Sequence, residues 1–170
     1  MIDWFISAKA LFLDRDGVIN LGAEEWEYIT TIEDFKWAPG VVDLIRRISD
    51  LHIPIFVITN QQCVWRGMMT QDSLMKLHGY MIEELWKQWW HISQILFCPH
   101  LRSEQCDCRK PKPGMILSIL KQFPLLDPSQ CLFVWDSQTD IEAWVSAWVH
   151  TLLIDKDKII NYCEIIISFF

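Results

Sequence analysis

An α/β domain built around a parallel sheet is the fold class this sequence predicts, on three observations. Short apolar runs of strand length alternate along the chain with longer segments of helical period, the signature of βα units. At 170 residues the chain can bury one real core without staples, so a single domain over 1–170 is expected. No internal repeat or low-complexity linker interrupts the alternation.

The first strand is predicted over 8–13, where Ala10-Leu11-Phe12-Leu13 leads into Asp14-Arg15-Asp16-Gly17. Residues two apart in an extended segment face the same side, so the carboxylates of Asp14 and Asp16 project together beyond the strand. Two adjacent carboxylates repel unless a cation or a shared proton reconciles them. Open α/β sheets place ligands at the carboxyl ends of their strands, and Gly17 allows a sharp turn there. The combination suggests Mg²⁺-assisted phosphoryl transfer with a carboxylate nucleophile; the alternative is an ordinary Asp–Gly turn. The polar stretch 20–36 that follows carries no clear element and is expected to fold over the site as a short flap.

Val41-Val42, Leu44-Ile45 and Ile48, after Pro39-Gly40, mark the first amphipathic helix. The β-branched run of 53–59 predicts the second strand, and its exit Thr59-Asn60-Gln61 offers a hydroxyl and backbone N–H groups able to grip phosphate oxygens. A helix is predicted from about 70 towards 90, then a strand over 95–98. Cys108-Arg109-Lys110-Pro111-Lys112-Pro113-Gly114 puts three cations just before a helix that starts near Pro113 and continues through Leu117 and Leu120. A helix N-terminus favours anions, so cations there need another reason, and a phosphate dianion supplies one. The next strand is predicted over 131–135, and its exit brings Asp136 and Asp140. A helix over roughly 139–148, a strand over 151–154 and an apolar tail covering the core as a strand or helix complete the chain.

Fifteen Lys and Arg stand against twenty-two Asp and Glu, a formal net charge of -7, with no basic run or interleaved aromatic stripe. Nucleic acid is therefore not an expected partner. The tail is far too short to span a bilayer, so no membrane partner is expected either. The first residues do not read as a cleavable signal peptide, and a cytoplasmic monomer is expected.

Each segment is weak alone, but their order at successive strand exits resembles the haloacid dehalogenase superfamily of phosphohydrolases. More closely, Leu13-Asp14-Arg15-Asp16-Gly17-Val18-Ile19-Asn20, Thr59-Asn60-Gln61, Arg66-Gly67, Cys98-Pro99-His100 and Cys106-Asp107-Cys108-Arg109-Lys110-Pro111-Lys112-Pro113-Gly114-Met115 resemble the D-glycero-D-manno-heptose 1,7-bisphosphate 7-phosphatases. The histidinol-phosphatases share most of these segments. The resemblance, covering about 9–154, implies a Rossmann-like three-layer sandwich, and neither gap between motifs could hold a large cap domain. It implies that Asp14 attacks phosphorus to form an aspartyl-phosphate, while Asp16 protonates the leaving oxygen and later activates water. It further implies Mg²⁺ on Asp14, the backbone carbonyl of Asp16, and Asp136. Thr59, Asn60 and Lys110 would grip the phosphoryl group, with Arg109 close to a sugar phosphate substrate. Whether Lys112 shares the role of Lys110 stays open.

Cys98, His100, Cys106 and Cys108 put three thiols and an imidazole within eleven residues, which suits a closed, structural tetrahedral Zn²⁺ site. Disulfides are the alternative, disfavoured in a reducing compartment. The resembled phosphatases carry zinc on these positions, and the loop so stiffened presents Arg109 and Lys110. Cys63, Cys131 and Cys163 read as core residues, and His52, His78, His91 and His150, on helix faces or boundaries, receive no role.

Four residues depart from the resembled pattern. Trp135 and Trp148 stand where the relatives have glycine, and Cys63 and Trp65 replace glycine and alanine. The Trp135 indole either crowds the Mg²⁺ site beside Asp136 or packs into the core. Arg66-Gly67 and Val18-Ile19-Asn20 favour the heptose bisphosphate, whereas the short His100–Cys106 interval resembles the histidinol-phosphatase loop. A rival of another class is a zinc-stabilised sugar-phosphate-binding protein with impaired catalysis.

Overall fold

The computed structural model describes residues 7–23, 27–136, 149–154 and 159–170. The described elements run β1 (Ala10–Leu13), α1 (Val41–Asp50), β2 (Ile55–Asn60), α2 (Gln71–Trp86), β3 (Gln94–Cys98), α3 (Gly114–Gln122), β4 (Cys131–Trp135), β5 (His150–Leu153) and α4 (Ile159–Ile167). The strands form one parallel sheet in the order β3-β2-β1-β4-β5. With β1 central and its neighbours β2 and β4 on either side, the strand order reverses at β1, the place where such sheets bind ligands.

The pleat sorts the apolar residues of each strand onto two faces. Leu11, Leu13, Ile55, Val57, Leu132 and Val134 face α1, α2 and α4, meeting Leu44, Ile48, Met81 and Ile166. Ala10, Phe12, Phe56, Ile58, Phe133 and Trp135 face α3, meeting Met115, Ile116 and Ile119. Both faces are covered, giving the expected three layers, and near-continuous apolar strands are what a doubly covered parallel sheet requires. The residues after the tail helix α4 are tied to the segment before β1 through Ala8, whose N–H donates to the Phe169 carbonyl at 2.8 Å.

Local chemistry sets the boundaries. Gly40 caps α1 in the left-handed conformation (φ +83°), which glycine adopts without strain. Thr70 accepts from the Ser73 N–H at 3.0 Å and starts α2, which ends at Trp86 rather than towards 90. Pro113 is the N-cap of α3 rather than its first helical residue, with Gly114 opening the helix because a Cβ there would meet the Asp107 carbonyl oxygen at 2.2 Å. The helix expected over 139–148, with Asp140 and Trp148, lies outside the described residues. His150 begins a strand rather than lying on a helix. No helix among the described residues is long and apolar enough to cross a membrane.

Candidate active site

The loop after β1 is wound tightly: the N–H groups of Val18, Ile19 and Asn20 all donate to the Arg15 carbonyl, and Gly17 sits at φ +82°. Gly17 is also a point of close approach, because a Cβ built on it would stand 2.0 Å from Asp136 Oδ2. The Asp136 carboxylate, delivered from the end of β4, thus packs against the Asp14–Gly17 loop, where a side chain would displace it. Asp14 and Asp136 follow adjacent parallel strands, and carboxylates are the hard oxygen donors Mg²⁺ takes, so the donor set at this loop fits that ion.

Asp14 is oriented at both oxygens. Its Oδ1 accepts from the Arg15 N–H at 2.7 Å, and its Oδ2 pairs with the Lys110 ammonium. Lys110 is itself buried. Its backbone is clamped by the Asn60 side chain, which donates to the Lys110 carbonyl and accepts from the Lys110 N–H, both at 3.0 Å. Asn60, expected to touch phosphate, thus spends its amide on holding Lys110 in place. Thr59 is buried at the end of β2, and its hydroxyl accepts from Gln61 Nε2 at 2.9 Å.

Asp16 faces both the cavity and a ring of donors. Its side chain keeps 34% of its surface exposed, yet it accepts from Arg15 Nε and Nη2, from Asn20 Nδ2 at 3.0 Å and from Gln61 Nε2 at 2.8 Å. Burial alone pushes its carboxyl up, but the Arg15 charge and these hydrogen bonds outweigh it and hold Asp16 below the usual carboxylate range. Arg15 is fully buried and also approaches His78 Nε2 at 3.4 Å. Burial first, and the Arg15 charge next, lower His78 to about 3, so it stays neutral beside the guanidinium. His78 therefore has a place in the network that its position on a helix face did not suggest.

The four residues expected to hold zinc are brought together. The ligand atoms of Cys98, His100, Cys106 and Cys108 all lie within 4.8 Å of one another. Sγ of Cys106 is 3.5 Å from those of Cys98 and Cys108, and His100 Nδ1 is 3.6 Å from Cys98 Sγ and 3.3 Å from Cys108 Sγ. Ligands ~2.0–2.3 Å from a tetrahedral ion stand roughly 3.5–3.8 Å apart, so these four separations are close to the spacing that a tetrahedral zinc site requires. Burial and the bonds from Cys108 and Cys106 push the Cys98 thiol up to about 12, so three thiolates need a cation among them.

From this loop Arg109 donates to the His100 carbonyl at 3.1 Å and to Gln62 Oε1 at 3.4 Å. Gln62 in turn donates to the Tyr28 hydroxyl at 2.7 Å, tying the flap to the zinc loop. Lys112 points elsewhere, to the Gln105 carbonyl at 2.7 Å and to Asp107 at 3.1 Å, and does not duplicate Lys110. Asp14, Asp16, Thr59, Asn60, Arg109 and Lys110 line one cavity of ≈ 590 Å³, together with Arg102, Gln105, Cys106, Pro111 and Lys112. Arg102 had only its charge within the His100–Cys106 interval to mark it. Carboxylates on the floor and cations along one wall suit an ester dianion.

Trp135 is 1% exposed and lies in the α3-side core, so the indole does not fill the phosphate cavity. Its alternation with Asp136 sends the two side chains to opposite sides. Cys63 is likewise absorbed, packing with Met69 and Leu74 beneath the loop after β2, while Trp65 is 52% exposed with its ring 6.0 Å from that of His100. Cys131 and Cys163 are buried, as expected of core residues.

A family profile described as polynucleotide kinase 3 phosphatase matches residues 9–155. The D-glycero-α-D-manno-heptose-1,7-bisphosphate 7-phosphatase of Campylobacter jejuni is 40% identical over 153 residues, covering 90% of this chain and 86% of the relative. The D-glycero-β-D-manno-heptose-1,7-bisphosphate 7-phosphatase of Rhodopseudomonas palustris is 39% identical over 147 residues, covering 82% and 79%. Among solved structures, D,D-heptose 1,7-bisphosphate phosphatase from B. bronchiseptica, complexed with magnesium and phosphate, superposes with a TM-score of 0.79 at 29% identity, over 85% of this chain and 79% of that one.

Proposed function

Because the chain belongs to the D-glycero-D-manno-heptose-1,7-bisphosphate 7-phosphatases of the haloacid dehalogenase superfamily, we propose that it removes the 7-phosphate of a heptose 1,7-bisphosphate, with Asp14 as nucleophile. The observation that carries this reading is the Asp14–Lys110 pair on the floor of the cavity, beside the Thr59 hydroxyl. Asp14 Oδ1 is tethered by a backbone N–H, which aims the carboxylate along one line and avoids an ordering cost at the moment of attack.

Attack by Asp14 forms an aspartyl-phosphate and expels the sugar oxygen, which takes a proton from Asp16. Water then attacks that phosphorus, giving its proton to Asp16 and regenerating Asp14. The donors around Asp16 keep it ionised, which suits the second step and makes protonation of the leaving oxygen the step they slow. Asp14, the Asp16 carbonyl and Asp136 would hold Mg²⁺, which when bound neutralises phosphoryl charge. Lys110 and Thr59 hold the transferred group, and Arg109 and Arg102 face the rest of the substrate. Cys98, His100, Cys106 and Cys108 would hold Zn²⁺ and fix the loop that presents Arg109 and Lys110. The protein acts as a cytoplasmic monomer on a small sugar phosphate, without nucleic acid or membrane as partner.

The matching relatives carry heptose bisphosphatase names, which favours that substrate over histidinol phosphate. Packing of Trp135 away from the cavity counts against reading the chain as a silent binding protein. The test is phosphate release from the α- and β-anomers of heptose 1,7-bisphosphate and from histidinol phosphate, with Mg²⁺. Release from a heptose bisphosphate well above the histidinol phosphate rate is expected, and release from histidinol phosphate alone, or from none, refutes the proposal.

A further inference from the structure

Phe133 and Trp135, two apart on β4, stand on the same face with ring centroids 6.3 Å apart and planes 25° from parallel. The Lys110 ammonium lies 5.6 Å from the Phe133 centroid while pairing with Asp14. Ammonium, phenyl and indole thus form one column of successive contacts that begins at the nucleophile.

A lysine carries its charge on a flexible four-carbon stem, so a buried ammonium needs something to fix it besides its counter-ion. The Asn60 clamp fixes the Lys110 backbone and leaves the stem free. A ring face fixes the other end, since a desolvated cation is held by the quadrupole of the ring beneath it. The Phe133 ring serves this purpose only if it keeps its own orientation, and the broad indole packed against it restricts that orientation. Simple space-filling does not account for an indole here. Trp135 Nε1 is buried with no hydrogen-bond partner among the described residues, a cost that an apolar side chain avoids.

We propose that Trp135 is a positioning residue, which acts through Phe133 to hold the Lys110 ammonium over Asp14. This rests on the reading of Lys110 as the group that holds the transferred phosphoryl.

The test compares Trp135→Phe, which keeps an aromatic face and drops the unpaired N–H, with Trp135→Leu, which keeps only apolar bulk. In Mg²⁺-supplemented enzyme, Trp135→Phe should retain kcat/KM and inhibition by inorganic phosphate. Trp135→Leu should lower kcat/KM and weaken phosphate inhibition, each about tenfold. In a Lys110→Met background the Trp135→Leu loss should disappear. If Trp135→Leu does not fold, Trp135→Met fills the space without a ring and takes its place. Equal losses in the Phe and Leu variants, or an undiminished loss in the Lys110→Met background, overturn the proposal. Independently of turnover, the ε-methylene protons of Lys110 should show an upfield ring-current shift in the parent and Trp135→Phe that shrinks in Trp135→Leu. An unchanged shift refutes the column, and a parent with the shift but no hydrolysis refutes the functional reading instead.

Discussion

Two ion pairs with buried cations flank the same tetrapeptide and are built to opposite ends. On one side Arg15 donates repeatedly to Asp16, which also receives Asn20 and Gln61. On the other, Lys110 has Asp14 as its one anionic partner among the described residues, in the lining of the cavity. An ammonium with three donor hydrogens and one anionic partner keeps capacity for another anion, whereas the guanidinium beside Asp16 is largely spent. Buried charge alone therefore does not mark chemistry. Residual valence facing a cavity does.

Removing the charge on the reactive side has the largest expected effect. Asp14→Asn keeps shape but loses the nucleophile, so phosphate release should fall to background while the far-ultraviolet circular dichroism is unchanged. A rate equal to the parent's would end the mechanism.

Stripping zinc attacks the loop that carries Lys110. The protein as purified should contain about one equivalent of Zn²⁺ per chain, and a chelator should lower Tm and activity together. Cys106→Ser should do the same, and metal analysis finding no zinc would remove this arm of the argument.

The two cations should then part company in what they damage. Arg15→Met removes the buried guanidinium and leaves Asp16 with the Asn20 and Gln61 donors, and should cost about 1–3 kcal/mol of stability by urea unfolding. Lys110→Met should cost about 10²–10³-fold in kcat, in the range of a lost transition-state donor, with a smaller change in stability. If both variants lose mainly stability, the contrast between the pairs collapses.

The smallest effect is a slope. His78 stays neutral in the fold, with its value lowered from 6.5 to about 3, while the unfolded chain protonates near 6.5. Its contribution is therefore whole above pH 6.5 and is lost as the pH falls from there towards 3, at no more than about 1.4 kcal/mol per unit. His78→Gln should flatten the fall in the urea midpoint between pH 7.5 and 5, and parallel curves for parent and variant would show that His78 does not titrate in this way.

What was legible in the sequence depended on how local the cause was. The strand Cys131–Trp135 was predicted residue for residue, because a buried parallel strand is an apolar run with polar ends. The Cys98, His100, Cys106 and Cys108 cluster sits within eleven residues, so spacing together with the family resemblance was enough to expect it. The Asp16 network was not legible, since Gln61 reaches it across 45 residues and Arg15 folds back on its own neighbour. The pair of hydrogen bonds between Asn60 and Lys110 spans 50 residues and left no mark in either motif. Trp135 was half legible: the sequence left crowding of the metal site and packing into the core as alternatives, and the stack on Phe133 that decides between them is a tertiary contact.

The Asn60 clamp also bears on the order in which the molecule comes together. Closing a loop of 50 residues carries an entropic cost of roughly 3.5 kcal/mol, set against two hydrogen bonds between neutral groups. These bonds do not repay that cost alone, so they form only after β2, β3 and the helix between them have already brought the two ends near. The nucleophile's strand and its sheet neighbours can thus be native while Lys110 is still adrift. During refolding, hydrolytic competence should be the last property to return, lagging behind the recovery of secondary structure.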